Sequence, residues 1–273
     1  MDLDFSEADI QRYSRHILLA EVGGTGQARL RAARVLVVGA GGLGSPLILY
    51  LAAAGVGRIG IVDGDAVDLS NLQRQIAHTT DGLGRAKAIS AAEAARAINP
   101  SVQFDVHTNR IGPDNALALI DGYDLVCDGT DNFAARFLIA DACVLARRTL
   151  VSAAVLRFEG QLSVFKPHVP GMPCYRCLYP APPPDGLVPS CGEAGVLGAV
   201  TGVMGTLQAT EVLKEILGIG ESLAGRLLIW DALATRFRTV RLRPDPDCPA
   251  CGRHATLRDL SGHAPAAAAA CAV

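Results

Sequence analysis

The chain lacks several things, and each absence narrows its class. It has no charge bias, since 25 lysines and arginines face 27 aspartates and glutamates. Bulk electrostatics therefore call for no nucleic-acid or membrane partner. It has no recognisable secretion leader, because Met1-Asp2-Leu3-Asp4 is acidic where a basic start and an apolar run are needed. No apolar stretch reaches membrane-spanning length without glycine, charged or polar interruptions. No internal repeat is visible. The expectation is a cytoplasmic protein. What is present is a globular composition, 50% apolar and 19% charged over 273 residues, enough for one large domain or two small ones. Eight cysteines without a leader before them point to metal binding or thiol chemistry ahead of disulfides.

Along the chain, a short apolar run at 34–38 is followed by Gly-Ala-Gly-Gly-Leu-Gly at 39–44. A helical pattern at 47–54 stops at Gly55, with Pro46 where a first helical turn tolerates it. A second strand at 59–62 ends in Asp63, which completes a β-α-β unit with a glycine-rich first turn. Further strands are expected at 102–106, 124–128 and 150–154, alternating with helices, a pattern that implies a parallel sheet covered by helices. Beyond 154 the character changes. A strand at 161–165 precedes a proline-rich stretch, 167–189, expected to hold no regular element. A long helix rich in glycine and alanine is expected at 193–217, then strands at 226–230 and 235–242. The fold class is α/β: a Rossmann-like sheet continued by a C-terminal part with further strands. Its parts are an N-terminal helical arm (1–30), the Rossmann-like part with the glycine-rich turn (31–155), a further part of the same fold (156–255) and a disordered Ala-rich tail (256–273).

Gly39, Gly41 and Gly44 form G-x-G-x-x-G, with Gly42 inside it. Such glycines allow a tight turn and bring backbone N–H groups to a phosphate at a helix N-terminus. Asp63 closes the next strand, where a carboxylate can accept both ribose hydroxyls. Alone, this reads as an adenine nucleotide, with NAD and ATP both open, against the plain alternative of a turn without a ligand. Asp65 and the cluster Asp68-Leu69-Ser70-Asn71-Leu72-Gln73-Arg74-Gln75 follow. A triphosphate needs forked donors of this kind, and a solvated loop is the bland alternative. Lys87 opens a helix, where a cation opposes the helix dipole unless an anion sits beside it; an ordinary surface lysine is the alternative. Thr130-Asp131-Asn132 follows a strand end, where one residue can cap the helix and the other hold Mg²⁺.

Cys174-x-x-Cys177 and Cys248-x-x-Cys251 make two matched pairs, the spacing of a closed structural Zn²⁺ site, with a redox pair as the rival. Cys191 stands apart after the proline-rich stretch. It is either a nucleophile that takes over an activated acyl group or an inert thiol. Cys127 and Cys143 fall in strand and helix patterns and are expected to be buried.

Together these residues resemble the MoeB/ThiF/HesA family, bacterial relatives of ubiquitin-activating enzymes. The resemblance runs from Arg12-Tyr13-Ser14-Arg15-His16-Ile17-Leu18-Leu19 through residues 39–44, 71–75, Lys87, 130–132 and Cys174-Tyr175-Arg176-Cys177 to the final cysteine pair. No rhodanese-like extension, which some relatives carry, is recognisable. The resemblance implies a homodimer in which Arg15, on a segment too polar to be core, completes the partner's nucleotide site. It further implies that the Rossmann-like sheet of 31–155 is the ATP-binding part and that the zinc-stapled 156–255 is the carrier-binding part, that Asp63 holds the ribose, that Asn71, Arg74 and Lys87 hold the triphosphate, and that Asp131 holds Mg²⁺. The implied reaction is ATP-dependent adenylation of the C-terminal glycine of a ubiquitin-like sulfur carrier (MoaD- or ThiS-like) ending in Gly-Gly. A sulfur donor such as a cysteine desulfurase or a rhodanese would then act. The site residues this implies are Arg15, Arg74, Lys87, Asp131 and Cys191 for catalysis. Gly39, Gly41, Gly42, Gly44, Asp63, Asp65, Asn71, Gln75 and Asn132 join them for the nucleotide. Two other classes were weighed: an NAD-dependent oxidoreductase, which leaves Arg74, Lys87 and the cysteine pairs unexplained, and a non-catalytic zinc-stapled dimeric scaffold, against which the intact charged residues argue.

Overall fold

The run Arg34–Val38 (β1) is an interior strand of an eight-stranded sheet in the computed structural model, which describes residues 4–184 and 194–263. The other strands are Arg58–Val62 (β2), Gln103–His107 (β3), Leu125–Asp128 (β4), Thr149–Leu156 (β5), Glu159–Phe165 (β6), Arg226–Asp231 (β7) and Arg236–Arg241 (β8). Their order is β3-β2-β1-β4-β5-β6-β7-β8, parallel from β3 to β5 and antiparallel from there on. Parallel strands covered on both faces read as unbroken apolar runs, and β1, β2 and β4 have buried side chains on both faces. β8, at the edge, is exposed along its whole length.

The helices among the described residues are Glu7–Ile17 (α1), Gly23–Ala32 (α2), Gly44–Ala54 (α3), Lys87–Ile98 (α4), Ala116–Asp121 (α5), Phe133–Leu145 (α6), Tyr175–Leu178 (α7) and Gly198–Leu217 (α8). Two buried clusters flank the sheet. One packs α3, α4 and α8 on it, and the other packs α5, α6 and α7. α8 lies close over α3 because its glycines leave room. A Cβ on Gly205 would sit 2.4 Å from the Leu43 carbonyl oxygen. The Gln208 amide of the same helix reaches the sheet and donates to the carbonyls of Asp128 and Val151, both at 2.9 Å.

The structure differs from the sequence reading in several places. α8 begins at Gly198, not 193, because Val196 and Leu197 are held extended beside Arg157. The proline-rich stretch contains the single turn α7. The arm carries core after all: Tyr13 is buried against Gly55, and its hydroxyl accepts from the Asn99 amide at 2.8 Å. Within the segment expected to be disordered, Leu260 is buried and His263 lies 2.8 Å from Asp141. Among the described residues, no helix is long and apolar enough to cross a membrane.

Candidate active site

Strand order reverses between β1 and β4, and ligands of open α/β sheets bind at such a point, outside the carboxyl ends of the strands. The glycine-rich turn fills that position. Gly39 has φ +96°, and a Cβ there would meet the Gly129 carbonyl at 2.8 Å, so the turns after β1 and β4 touch backbone to backbone. Gly44 opens α3 against the Gly39 carbonyl, Gly42 faces Thr201 of α8, and Gly41 looks toward the Gln75 amide. Asp63, at the end of β2, accepts from the Ala40 N–H and the Asp65 N–H, each at 2.8 Å. Burial pushes the Asp63 carboxyl up, against the pull of those two N–H groups and of Lys87. The carboxylate keeps acceptor capacity for a further donor.

Lys87 is 7% exposed, and its Nζ lies 3.3 Å from Asp65, whose other oxygen is 2.5 Å from Arg110. An ammonium this buried, sharing one carboxylate among the described residues, is a strong electrostatic partner for an anion. Arg74 and Asn71 lie on the loop behind, their side chains bonded to Ser70, at 3.0 Å to its carbonyl and 3.3 Å to its hydroxyl. Gln75 is buried, and its Oε1 has no partner among the described residues. After β4 the two candidate roles divide: Asn132 caps α6 through Ala135 N–H at 2.9 Å, while Asp131 is exposed with no partner among the described residues. A single open carboxylate fits Mg²⁺, which completes its shell with phosphate oxygens and water. Asp131 also lines a cavity of about 200 Å³, together with Arg136, Ser152, Ala153, Ala154 and Tyr179.

Arg15 is not brought to this group. It is exposed on α1, whose neighbours Arg12, Tyr13 and His16 bind Ile98, Asn99 and Gln27. Ile98 and Asn99 end α4, and Gln27 of α2 donates to the Ala54 carbonyl at the end of α3, a helix length of ~16 Å from the glycine turn at its start. Cys191 lies outside the described residues.

The four paired cysteines converge, with all sulfurs within 4.8 Å of one another. Cys174–Cys177, Cys174–Cys248 and Cys177–Cys251 separations are 3.9, 3.5 and 3.4 Å. Four sulfurs at 2.3 Å from a tetrahedral Zn²⁺ stand roughly 3.8 Å apart, so the cluster fits that ion. α7 makes this possible, since one turn puts Cys174 and Cys177 on the same side. The neighbouring Cys174 and Cys251 thiols, then the Asp245 N–H at 3.4 Å, favour the thiolate of Cys177. Cys127 and Cys143 are buried, and burial raises both thiols far above their usual range.

Sequence reasoning passed over several residues that shape the site. Asp128 is 1% exposed and accepts from Thr130 N–H and hydroxyl and from the Ser152 hydroxyl, which holds the turn before Asp131. His78 bridges the Ala40 carbonyl and the Ser90 hydroxyl, both at 2.9 Å. Arg110 joins Asp65. Nothing local in the sequence marks either His78 or Arg110, because their partners, Ala40 and Asp65, lie 38 and 45 residues away.

Fold and site thus define a nucleotide-binding α/β protein with a carboxylate-lined crevice and a separate tetrathiolate cluster. The chain belongs to the ThiF family, whose family model matches residues 13–250. The adenylyltransferase and sulfurtransferase MOCS3 of Bos taurus is 55% identical over 259 residues, 94% of this chain and 56% of that protein. The chain thus spans little more than half of that relative. The sulfur carrier protein adenylyltransferase of Thermus thermophilus is 48% identical over 261 residues, 94% of this chain and 96% of that protein. Among solved structures, Escherichia coli MccB with AMPCPP and MccA shares the fold with a TM-score of 0.78 at 20% identity, covering 91% of this chain and 75% of that one.

Proposed function

We propose that the chain uses ATP to adenylate the C-terminal glycine carboxylate of a ubiquitin-like sulfur-carrier protein. The observation that carries this reading is one crevice at the sheet's reversal point. It holds an anion-binding turn, the ribose-competent Asp63, the buried Lys87 and the open Asp131, with a narrow cavity beside it. The name of the Thermus thermophilus relative supports the same substrate. Membership of the ThiF family removes the support for an NAD-dependent oxidoreductase.

In this reading Asp63 accepts the ribose hydroxyls, and the glycine turn, Asn71, Arg74 and Lys87 hold the triphosphate. Mg²⁺, held by Asp131, would supply further neutralisation of phosphate charge. The carrier's tail enters the cavity, where the small side chains of Ala153 and Ala154 admit a Gly-Gly end. A carboxylate oxygen of the tail forms a bond to the α-phosphorus. The bond from that phosphorus to the bridging oxygen breaks, and pyrophosphate leaves with the electron pair. The carboxylate is already ionised at neutral pH, so no general base is needed. Catalysis is then alignment and charge stabilisation. Arg15, remote from its own site, acts in a homodimer on the partner's site. Zn²⁺ in the cysteine cluster is structural, and the acyl adenylate goes on to a sulfur donor. Cys191 is the candidate for a covalent link; Cys191→Ala then keeps adenylation and loses a reducible conjugate.

The test is ATP–pyrophosphate exchange with candidate carriers ending in Gly-Gly. Exchange should require Mg²⁺ and the last glycine, and Asp131→Ala or Arg74→Ala should lower kcat by about 10²–10³. Equal exchange with a carrier lacking that glycine, or reduction of NAD in its place, overturns the reading.

A further inference from the structure

Both polar groups of Ala40, inside the glycine-rich turn, are held by side chains from elsewhere. Its N–H donates to Asp63 at 2.8 Å. Its carbonyl lies 2.9 Å from His78 Nε2, with the Ser45 hydroxyl at a distant 3.5 Å. A carbonyl only accepts, so Nε2 carries the proton. The other ring nitrogen, Nδ1, is then the acceptor for the Ser90 hydroxyl at 2.9 Å, and Ser90 stands on α4 one turn beyond Lys87. The Ala40 carbonyl thereby sets the tautomer, and Ser90 anchors the far side of the ring that grips it.

We infer that His78 is a positioning residue for the nucleotide, aiming the Gly41 N–H at a phosphate by gripping the opposite side of the same peptide plane. The peptide from Ala40 to Gly41 is trans, so its carbonyl and its N–H point in opposite directions. With the carbonyl turned inward to His78, the Gly41 N–H turns away from the interior, and it has no acceptor among the described residues. Gly41 is half-buried, while Ala40 and His78 are buried. A donor held in place before the ligand arrives costs no reorganisation when phosphate charge must be met. Losing the grip leaves the Ala40 carbonyl buried without a strong partner and free to rotate the plane.

The inference rests on the proposed nucleotide site, and the experiment separates the two. Binding of Mg–ATP and of adenosine is measured by calorimetry without carrier, on the full chain, for wild type and three variants. His78→Gln places an amide N–H near the position of Nε2 and should bind Mg–ATP within about twofold of wild type. His78→Asn is too short to reach Ala40 and should weaken Mg–ATP about tenfold, with adenosine binding unchanged because adenosine has no phosphate. Ser90→Ala keeps the ring and removes only the hydroxyl that anchors it at Nδ1, so it should weaken Mg–ATP by a smaller factor. Wild-type affinity in His78→Asn, or equal losses of ATP and adenosine in that variant, overturns the positioning role. Failure of the wild-type chain to bind Mg–ATP overturns the nucleotide site and this inference with it.

Discussion

The guanidinium of Arg176, set between Cys174 and Cys177, makes a two-pronged bond to Asp141 of α6, with Nε–Oδ1 and Nη2–Oδ2 both at 2.7 Å. Asp141 is 1% exposed and is also 2.8 Å from His263. The cysteine loop is thereby tied to the helix whose first turn follows Asp131. Breaking a buried pair by removing one partner strands the other charge. Asp141→Ala should lower folding stability by about 3 kcal/mol or more. Denaturant titration at constant metal checks this, and an unchanged midpoint would show that the tie contributes nothing.

The cysteine cluster predicts one tightly held Zn²⁺ per chain. Replacing any of Cys174, Cys177, Cys248 or Cys251 by Ser should lower the melting temperature more than it lowers the exchange rate of the protein that remains folded. Elemental analysis of carefully handled protein checks the stoichiometry; a metal-free chain with full stability would remove the ion from the account.

A shared active site predicts complementation. Arg15→Ala and Asp131→Ala should each be nearly inactive and folded. In a mixed dimer, one site carries both defects and the other carries neither. Subunit exchange should therefore restore up to about half the wild-type rate per mixed dimer, if the sites act independently. No recovery after demonstrated exchange would place Arg15 in its own chain's chemistry.

The buried His78 predicts an acid-sensitive stability. Burial holds its pKa below the ordinary imidazole value; the Ala40 carbonyl and Asp63 oppose this and Lys87 adds to it. A depressed folded-state pKa means that the unfolded chain binds more protons, so stability rises with pH through the window. The contribution is complete above about pH 6.5, the unfolded value. It is lost as pH falls through the folded value. The melting temperature of wild type should thus fall more steeply between neutral and mildly acid pH than that of His78→Gln. Parallel curves would show that His78 carries none of the slope.

Much of this was legible in the sequence because the signals were local. β1 and β2 are continuous apolar runs, Gly39 to Gly44 is contiguous, and each cysteine pair is one turn of chain. What was not legible depends on partners far along the chain. His78 meets Ala40 38 residues away and Gln208 meets Asp128 80 residues away, and no periodicity reports such pairs. Tyr13 was misread because its burial depends on Gly55 and Asn99, not on the polar residues beside it. The late start of α8 was invisible for the same reason, since an extended contact with Arg157 overrides local helix propensity.

The cysteine cluster joins positions 74 residues apart, Cys174 to Cys248 and Cys177 to Cys251. An unfolded chain that kept all four thiolates on one ion would have to close that loop, at an entropic cost of about 4 kcal/mol. An ion bound there would therefore discriminate between folded and unfolded chains, and unfolding and metal release would become one event. The protein's resistance to unfolding would then grow with the logarithm of the free metal ion, so that its lifetime would depend on the metal supply of its surroundings as well as on its own packing.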